Sequence, residues 1–309
     1  MKNYFVLFII MFFQLSFTFG QNIYIKAFGD TSSTPIIFLH GGPGYNSSTF
    51  EITTAQKLAD EGYYVVVYDR RGEGRSGNNA KYNFDQTHSD LIRIIDSLNI
   101  DSANLIGHSF GGIIAVTFAE KYSTRVNSIV FVGAPVSLQE SFKTIIDSCE
   151  KIYTDSNDLT NLSYIKMLKL MDTSSIMYSS YCFMHAMQNG FYSTKSPSQD
   201  AQKIYSLFKS DSVLIKNASK MGYTQPQVFL KNEAYTTLDL SMNILNLIDN
   251  GVKITGMYGK EDGLFSTKQI NDLKKMIGDE NILYFDNCSH SVFIDQQKLF
   301  IEGINKLTK

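Results

Sequence analysis

A short apolar run, Ala103-Asn-Leu-Ile106, leads straight into Gly107-His-Ser-Phe-Gly111-Gly112 and then into a helical pattern that carries Ile113, Ile114, Val116, Phe118 and Ala119. Of all the features in the chain this one constrains the fold most. A strand that turns into a helix within two residues needs glycines, because side chains there would collide with neighbouring backbone. The turn also lifts Ser109 out of the sheet and presents its hydroxyl at the helix N-terminus. Such a turn belongs to a parallel sheet covered by helices, and the rest of the chain agrees. Apolar runs at Pro35–Leu39, Tyr63–Tyr68, Ile129–Val132, Val252–Tyr258 and Ile282–Phe285 read as buried strands. Between them, helical spacing marks Phe50–Asp60, Gln86–Leu98 and Phe110–Tyr122, and a last helix runs from Val292 to Leu307. The expected fold is α/β, a mostly parallel sheet flanked by helices.

From Pro135 to Asn250 the strand pattern stops. The segment is rich in Ser, Tyr, Met and Lys and contains helical fragments such as Tyr164–Met171 and Gln199–Lys209. It reads as a helical cap inserted between two strands. The expected organisation is therefore residues 1–20 as a leader, 21–134 as the first part of the core, 135–250 as the cap and 251–309 as the second part of the core. The leader follows from Lys2, the apolar run Tyr4–Phe19 broken only by Gln14, Ser16 and Thr18, and the small residues Thr18 and Gly20. It has the layout of a secretory signal peptide and is shorter than a spanning helix requires. Cleavage after Gly20 predicts an exported, periplasmic or extracellular protein without stable membrane insertion; the alternative is an uncleaved membrane anchor.

A serine is a weak nucleophile without a base. The chain holds five histidines, and only His185 and His290 follow Ser109. In α/β-hydrolases, the family that this glycine-flanked serine turn resembles, the partners follow in chain order serine, acid, histidine. His290 lies in a loop just beyond the run Ile282–Phe285, where it can reach the serine; His185 lies among aromatic residues and Met in the insertion and reads as a packing or pocket residue. The orienting acid is expected beyond the run Val252–Tyr258, in Gly259-Lys-Glu-Asp262-Gly263, and Asp262 is preferred to Glu261. A tetrahedral intermediate also needs donors for its oxyanion. The expected pair is the backbone N–H of Phe110 and that of Gly42, in the loop His40-Gly-Gly-Pro-Gly44, with Gly41 as the neighbour that could replace Gly42. His40 is expected to hold this loop by a hydrogen bond.

These motifs resemble the α/β-hydrolase family. His40-Gly-Gly-Pro-Gly44 and Asp69-Arg-Arg-Gly-Glu-Gly-Arg-Ser76 are similar to the prolyl aminopeptidase (proline iminopeptidase) branch over about residues 35–133 and 250–309. The resemblance implies a Ser109–Asp262–His290 triad, a helical cap, and an aminopeptidase that releases N-terminal residues from small peptides through an acyl-enzyme. In that branch cap glutamates hold the substrate's free amine. Glu233 is the position expected to do so here, ahead of Glu140 and Glu150. The alternative is a carboxylesterase or lipase-like hydrolase with the same triad, since an ester substrate needs no anionic subsite.

Composition narrows the partners. Lys plus Arg is 28 and Asp plus Glu 30, a net charge of −2, so nothing favours nucleic acid. The three cysteines, Cys149, Cys182 and Cys288, form no zinc-type pair. No motif calls for a metal or an organic cofactor, and the expected partner is a small molecule or short peptide.

Overall fold

A computed structural model describes residues 23–77 and 79–308. The expected leader lies outside the described residues. Seven strands form one sheet: β1 (Ile25–Phe28), β2 (Thr34–Leu39), β3 (Tyr63–Tyr68), β4 (Ala103–His108), β5 (Val126–Val132), β6 (Lys253–Gly259) and β7 (Ile282–Phe285). Their order across the sheet is β1-β3-β2-β4-β5-β6-β7. Only β1 runs antiparallel, pairing with β3 from Ile25 opposite Tyr68 to Phe28 opposite Val65. β4 sits at the centre, between β2 and β5, where the strand numbering reverses direction. Loops at the carboxyl ends of strands near such a reversal open a crevice, the usual place for a ligand in an open α/β sheet.

The central strands are buried on both faces, which is why they read as continuous apolar runs rather than alternating ones. Ile37, Leu39, Val66 and Leu105 point to one face and pack with Leu91 and Ile94 of the helix Phe84–Ser97 and with Ile113 and Ile114 of the helix Phe110–Lys121. Ile36, Phe38, Val65 and Val67 point to the other, against Phe50, Leu58, Phe293 and Phe300. There Phe38 and Phe50 stack with ring centroids 3.8 Å apart.

The structure departs from the sequence reading in three places. β1 was not expected; it is a four-residue edge strand whose middle residues, Lys26 and Ala27, are only half-buried, so it lacks the apolar signal. The last helix is two, Val292–Asp295 and Gln297–Thr308, separated at Gln296, whose backbone (φ −131°, ψ 50°) is not helical. Helices follow one another from Leu138 to Asp249 between β5 and β6, but the final one, Ser241–Asp249, packs on the helix Phe110–Lys121, on Thr267–Ile277 and on β6. It therefore belongs to the layer covering the sheet, with Ile244 and Leu247 in the core, and not to the cap. No described helix is long and apolar enough to cross a membrane.

Candidate active site

Ser109 stands between β4 and the helix Phe110–Lys121 with φ 53° and ψ −124°, a conformation that an L-residue adopts only when its surroundings impose it. Two glycines make it possible. A Cβ on Gly111 would meet the carbonyl oxygen of Leu39 at 2.0 Å, and one on Gly107 would meet Cα of Gly112 at 2.6 Å. The helix can thus press against the ends of β2 and β4. Ser109 N–H donates to the Val132 carbonyl at 3.0 Å, which ties the turn to β5. Among the described residues, the Ser109 hydroxyl makes no hydrogen bond to protein.

His290 comes to the same edge of the sheet. Its Nδ1 lies 2.8 Å from Oδ2 of Asp262, both side chains being buried. With the carboxylate accepting there, Nδ1 carries the proton and Nε2 is left as the basic atom. The other Asp262 oxygen accepts from Leu264 N–H at 3.1 Å. The loop holding His290 is pinned on several sides. Ser289 N–H donates to Asp295 at 2.8 Å, and the Ser289 hydroxyl donates to the Phe191 carbonyl at 3.0 Å. His108, the residue before the serine, donates from Nε2 to the His290 carbonyl at 3.2 Å. Burial pushes the His108 pKa down to about 3, so this ring works as a fixed neutral donor. Gly133 completes the fit, since a Cβ there would stand 3.1 Å from His290 Nδ1.

Gly42, Ser109 and Phe110 line one cavity with Gly133, Phe183 and Tyr235. The cavity, with its open mouth, has about 330 Å³. Gly41 passes directly over the serine: a Cβ on it would lie 3.1 Å from Ser109 Cβ. His40 holds this loop as expected, through Nδ1 and the Gly41 carbonyl at 2.9 Å. The structure therefore brings Ser109, Asp262, His290, Gly42 and Phe110 to one edge of the sheet. Glu261, the alternative acid, faces away and accepts from the Thr194 hydroxyl and Lys195 N–H.

Glu233 does not join them. It ends the helix Thr224–Glu233, and its carboxylate accepts from Phe84 N–H at 2.9 Å. The first N–H groups of a helix have no partner within it and carry its positive dipole end, so a carboxylate settles there. That position is an anchor between cap and core, not a wall of the cavity. Glu140 lines a separate groove with Asp239 and Lys268, and Glu150 pairs with Lys169 in solvent. His185 packs as expected, with Nδ1 2.9 Å from the Tyr153 hydroxyl. Cys149 and Cys182 are free buried thiols. Sequence reasoning missed Tyr235, Phe265 and Leu264 as cavity walls; nothing local marks them. Among the described residues no group of three or more His, Cys, Asp or Glu is arranged to hold a metal ion.

Comparison with known proteins agrees with this fold. Residues 34–157 match the family described as alpha/beta hydrolase fold. A proline iminopeptidase from Chitinophaga pinensis is 22% identical over 302 residues, 93% of this chain and 94% of that protein. One from Clostridioides difficile is 32% identical over 111 residues, which is 34% of this chain and 37% of that protein. Among solved structures, a proline iminopeptidase-related protein from Thermus thermophilus superposes with a TM-score of 0.66 at 18% identity, covering 95% of this chain and 97% of its own. An esterase from Exiguobacterium antarcticum superposes with 0.61 at 18% identity, covering 94% of this chain and 98% of its own.

Proposed function

We propose that this chain, which belongs to the α/β-hydrolase fold family in its proline iminopeptidase-like branch, is a serine hydrolase acting on small apolar acyl groups through an acyl-enzyme. The observation that carries the reading is the His290–Asp262 pair at the sheet edge where Ser109 is raised. In this reading Ser109 Oγ attacks the substrate carbonyl while His290 Nε2 takes its proton. Asp262 holds the imidazole in the tautomer that leaves Nε2 free and balances the imidazolium. The N–H groups of Gly42 and Phe110 receive the negative oxygen. His290 then gives its proton to the leaving group, and water repeats the cycle on the acyl-enzyme.

The relatives support an aminopeptidase that releases N-terminal residues, proline among them, from small peptides. A second reading, an esterase of small esters, is favoured by the cavity itself: its described lining is Gly, Phe, Pro, Leu, Tyr and Ser, with no carboxylate to receive an ammonium group. Turnover of proline and alanine arylamides beside p-nitrophenyl esters separates the two. In either case Ser109→Ala should fold and lose at least about 10³-fold in kcat. A variant retaining a tenth of wild-type kcat, a barrier change of only about 1.4 kcal/mol, removes Ser109 from the role. We infer export from residues 1–20 in addition; N-terminal sequencing of protein from the native host should begin near Gln21, and an intact Met1 refutes it.

A further inference from the structure

We propose that Arg70 is the positioning residue of the oxyanion hole, locking the Gly41–Gly42 peptide from behind so that the Gly42 N–H faces Ser109. This inference rests on the hydrolase reading above. It starts from the loop that follows β3, Asp69-Arg-Arg-Gly-Glu-Gly-Arg-Ser76, where Arg70 is buried at the back of the His40–Gly44 loop. Its guanidinium forks across two successive carbonyls. Nη1 donates to the His40 oxygen at 2.5 Å and Nη2 to the Gly41 oxygen at 2.6 Å.

The consequence follows from peptide geometry. In a planar trans peptide the C=O and N–H point in opposite directions. Holding the Gly41 carbonyl on the Arg70 side therefore turns the Gly42 N–H to the other side, where the cavity and Ser109 lie. Gly42 allows this only because it carries no side chain: its φ is +117°, and a Cβ would stand 3.1 Å from Arg70 Nη2. The second donor is near the same cation, with the guanidinium 5.3 Å from the centroid of the Phe110 ring.

Two neighbours make the arrangement permanent. His40 is neutral because burial, and then the Arg70 charge, drives its pKa well below the usual range. Its Nε2 accepts from the Arg70 backbone N–H at 3.0 Å, and its Nδ1–H adds a second bond to the Gly41 oxygen at 2.9 Å. Glu73 lies 2.7 Å from Arg70 Nη2 and accepts from Gly44 N–H at 3.0 Å. It neutralises the buried cation and holds the far end of the loop. A lysine could not replace the fork, since it is one point charge rather than two parallel donors.

The test is the double variant Arg70→Met/Glu73→Gln, which removes the fork without leaving a buried carboxylate unpaired. Two readouts are taken: the kcat and KM of the best substrate, and the ¹H–¹⁵N resonance and hydrogen exchange of the Gly42 amide. The expected result is a kcat at least about 10²-fold lower, as for the loss of one oxyanion donor, with KM within about threefold. The Gly42 amide should shift and exchange faster. A folded double variant with kcat within threefold of wild type, or with an unmoved Gly42 amide, overturns the proposal. If the double variant does not fold, Arg70→Lys decides by the same readouts, with at least a tenfold loss of kcat expected and none overturning it. Should wild type and Ser109→Ala be equally inert toward every acyl substrate, the hydrolase reading fails, and the Gly42 amide still decides what Arg70 does.

Discussion

The loops beneath Ser109 and the helices above it are built on opposite terms. In the core, the charges around the loops that follow β2 and β3 are buried and paired with one another. Asp69 accepts from Ser47 and from Arg75, and Glu51 pairs with both Arg75 and Lys26. Asp69, Glu51, Arg70 and Glu73 are each no more than 4% exposed. In the cap the ion pairs lie in solvent, as with Glu150–Lys169 and Asp200–Lys203, and large apolar side chains stand exposed. Leu170 is 88% exposed and Met167 64%, and Met177, Tyr181 and Met184 form an outward stripe on the helix Ile176–Gln188. Buried paired charges fix geometry because breaking them is costly, whereas exposed pairs contribute little. The half that would perform chemistry is over-determined, and the half that would meet the substrate's side chain is loosely specified.

The sharpest way to break this contrast is to remove one acid from each side. Asp69→Ala leaves the buried Ser47 groups without their acceptor and Arg75 with Glu51 as its remaining carboxylate, and should cost about 3 kcal/mol, read from urea midpoints. Glu150→Ala should cost less than about 1 kcal/mol. Equal losses would abolish the distinction between the two regions.

Acid provides a gentler probe. Burial lowers the pKa of His40, His88 and His108 in the core and of His185 in the cap, to about 4 for His88 and about 3 for His108. These rings are neutral in the fold, while the unfolded chain takes up protons below about 6.5. Stability should therefore fall as pH drops from about 6.5, and this loss ends only where the folded rings themselves protonate. Glu73 and Asp295 act in the opposite sense, since burial raises their pKa and favours the fold as they protonate. The histidines should dominate between about pH 7 and pH 5, with at most about 2 kcal/mol from His108. Urea midpoints at about pH 7, 6 and 5 should decline for wild type and decline less for His108→Gln; a flat wild-type profile would contradict the buried neutral state.

The smallest effect sits at the seam between the regions. Glu233→Gln should cost about 1 kcal/mol through the weakened cap on the helix Phe84–Ser97. It should change KM for arylamides and esters equally. A rise in KM confined to free-amine substrates would return Glu233 to the amine-binding role that the sequence suggests.

That seam also shows what the sequence could and could not reveal. β2 to β6 were legible because strands buried on both faces are apolar runs, β7 because all four of its residues are apolar although it is a half-buried edge strand, and the turn at Ser109 because its glycines are local. That Asp262 and His290 meet was legible from the chain order of the family they resemble and from each following a strand. The anchoring of Glu233 on Phe84 was not legible, because the two lie 149 residues apart and no local pattern encodes so distant a contact. The helix Ser241–Asp249 looked like cap because helical spacing says nothing about which layer a helix joins. Arg70 and Glu73 sat within a recognised motif, but their role depends on which side of a neighbouring peptide they touch.

The root of the cap carries a consequence for how such a chain can change over time. Ser137 and Asp239 form a single antiparallel bridge, Leu240 N–H donates to the Val136 carbonyl at 2.9 Å, and Gln139 reaches the Thr236 carbonyl at 2.8 Å. The excursion thus leaves and returns through one narrow neck. Lengthening a loop whose ends are already joined adds little closure entropy, about 0.6 kcal/mol for each doubling. Residues beyond the neck that neither line the cavity nor hold the His290 loop, as Phe191 does, can be inserted, lost or exchanged while β5 and β6 keep their register. A lineage built on this plan can reshape the far side of its cap by grafting while the sheet edge that carries Ser109 stays in place.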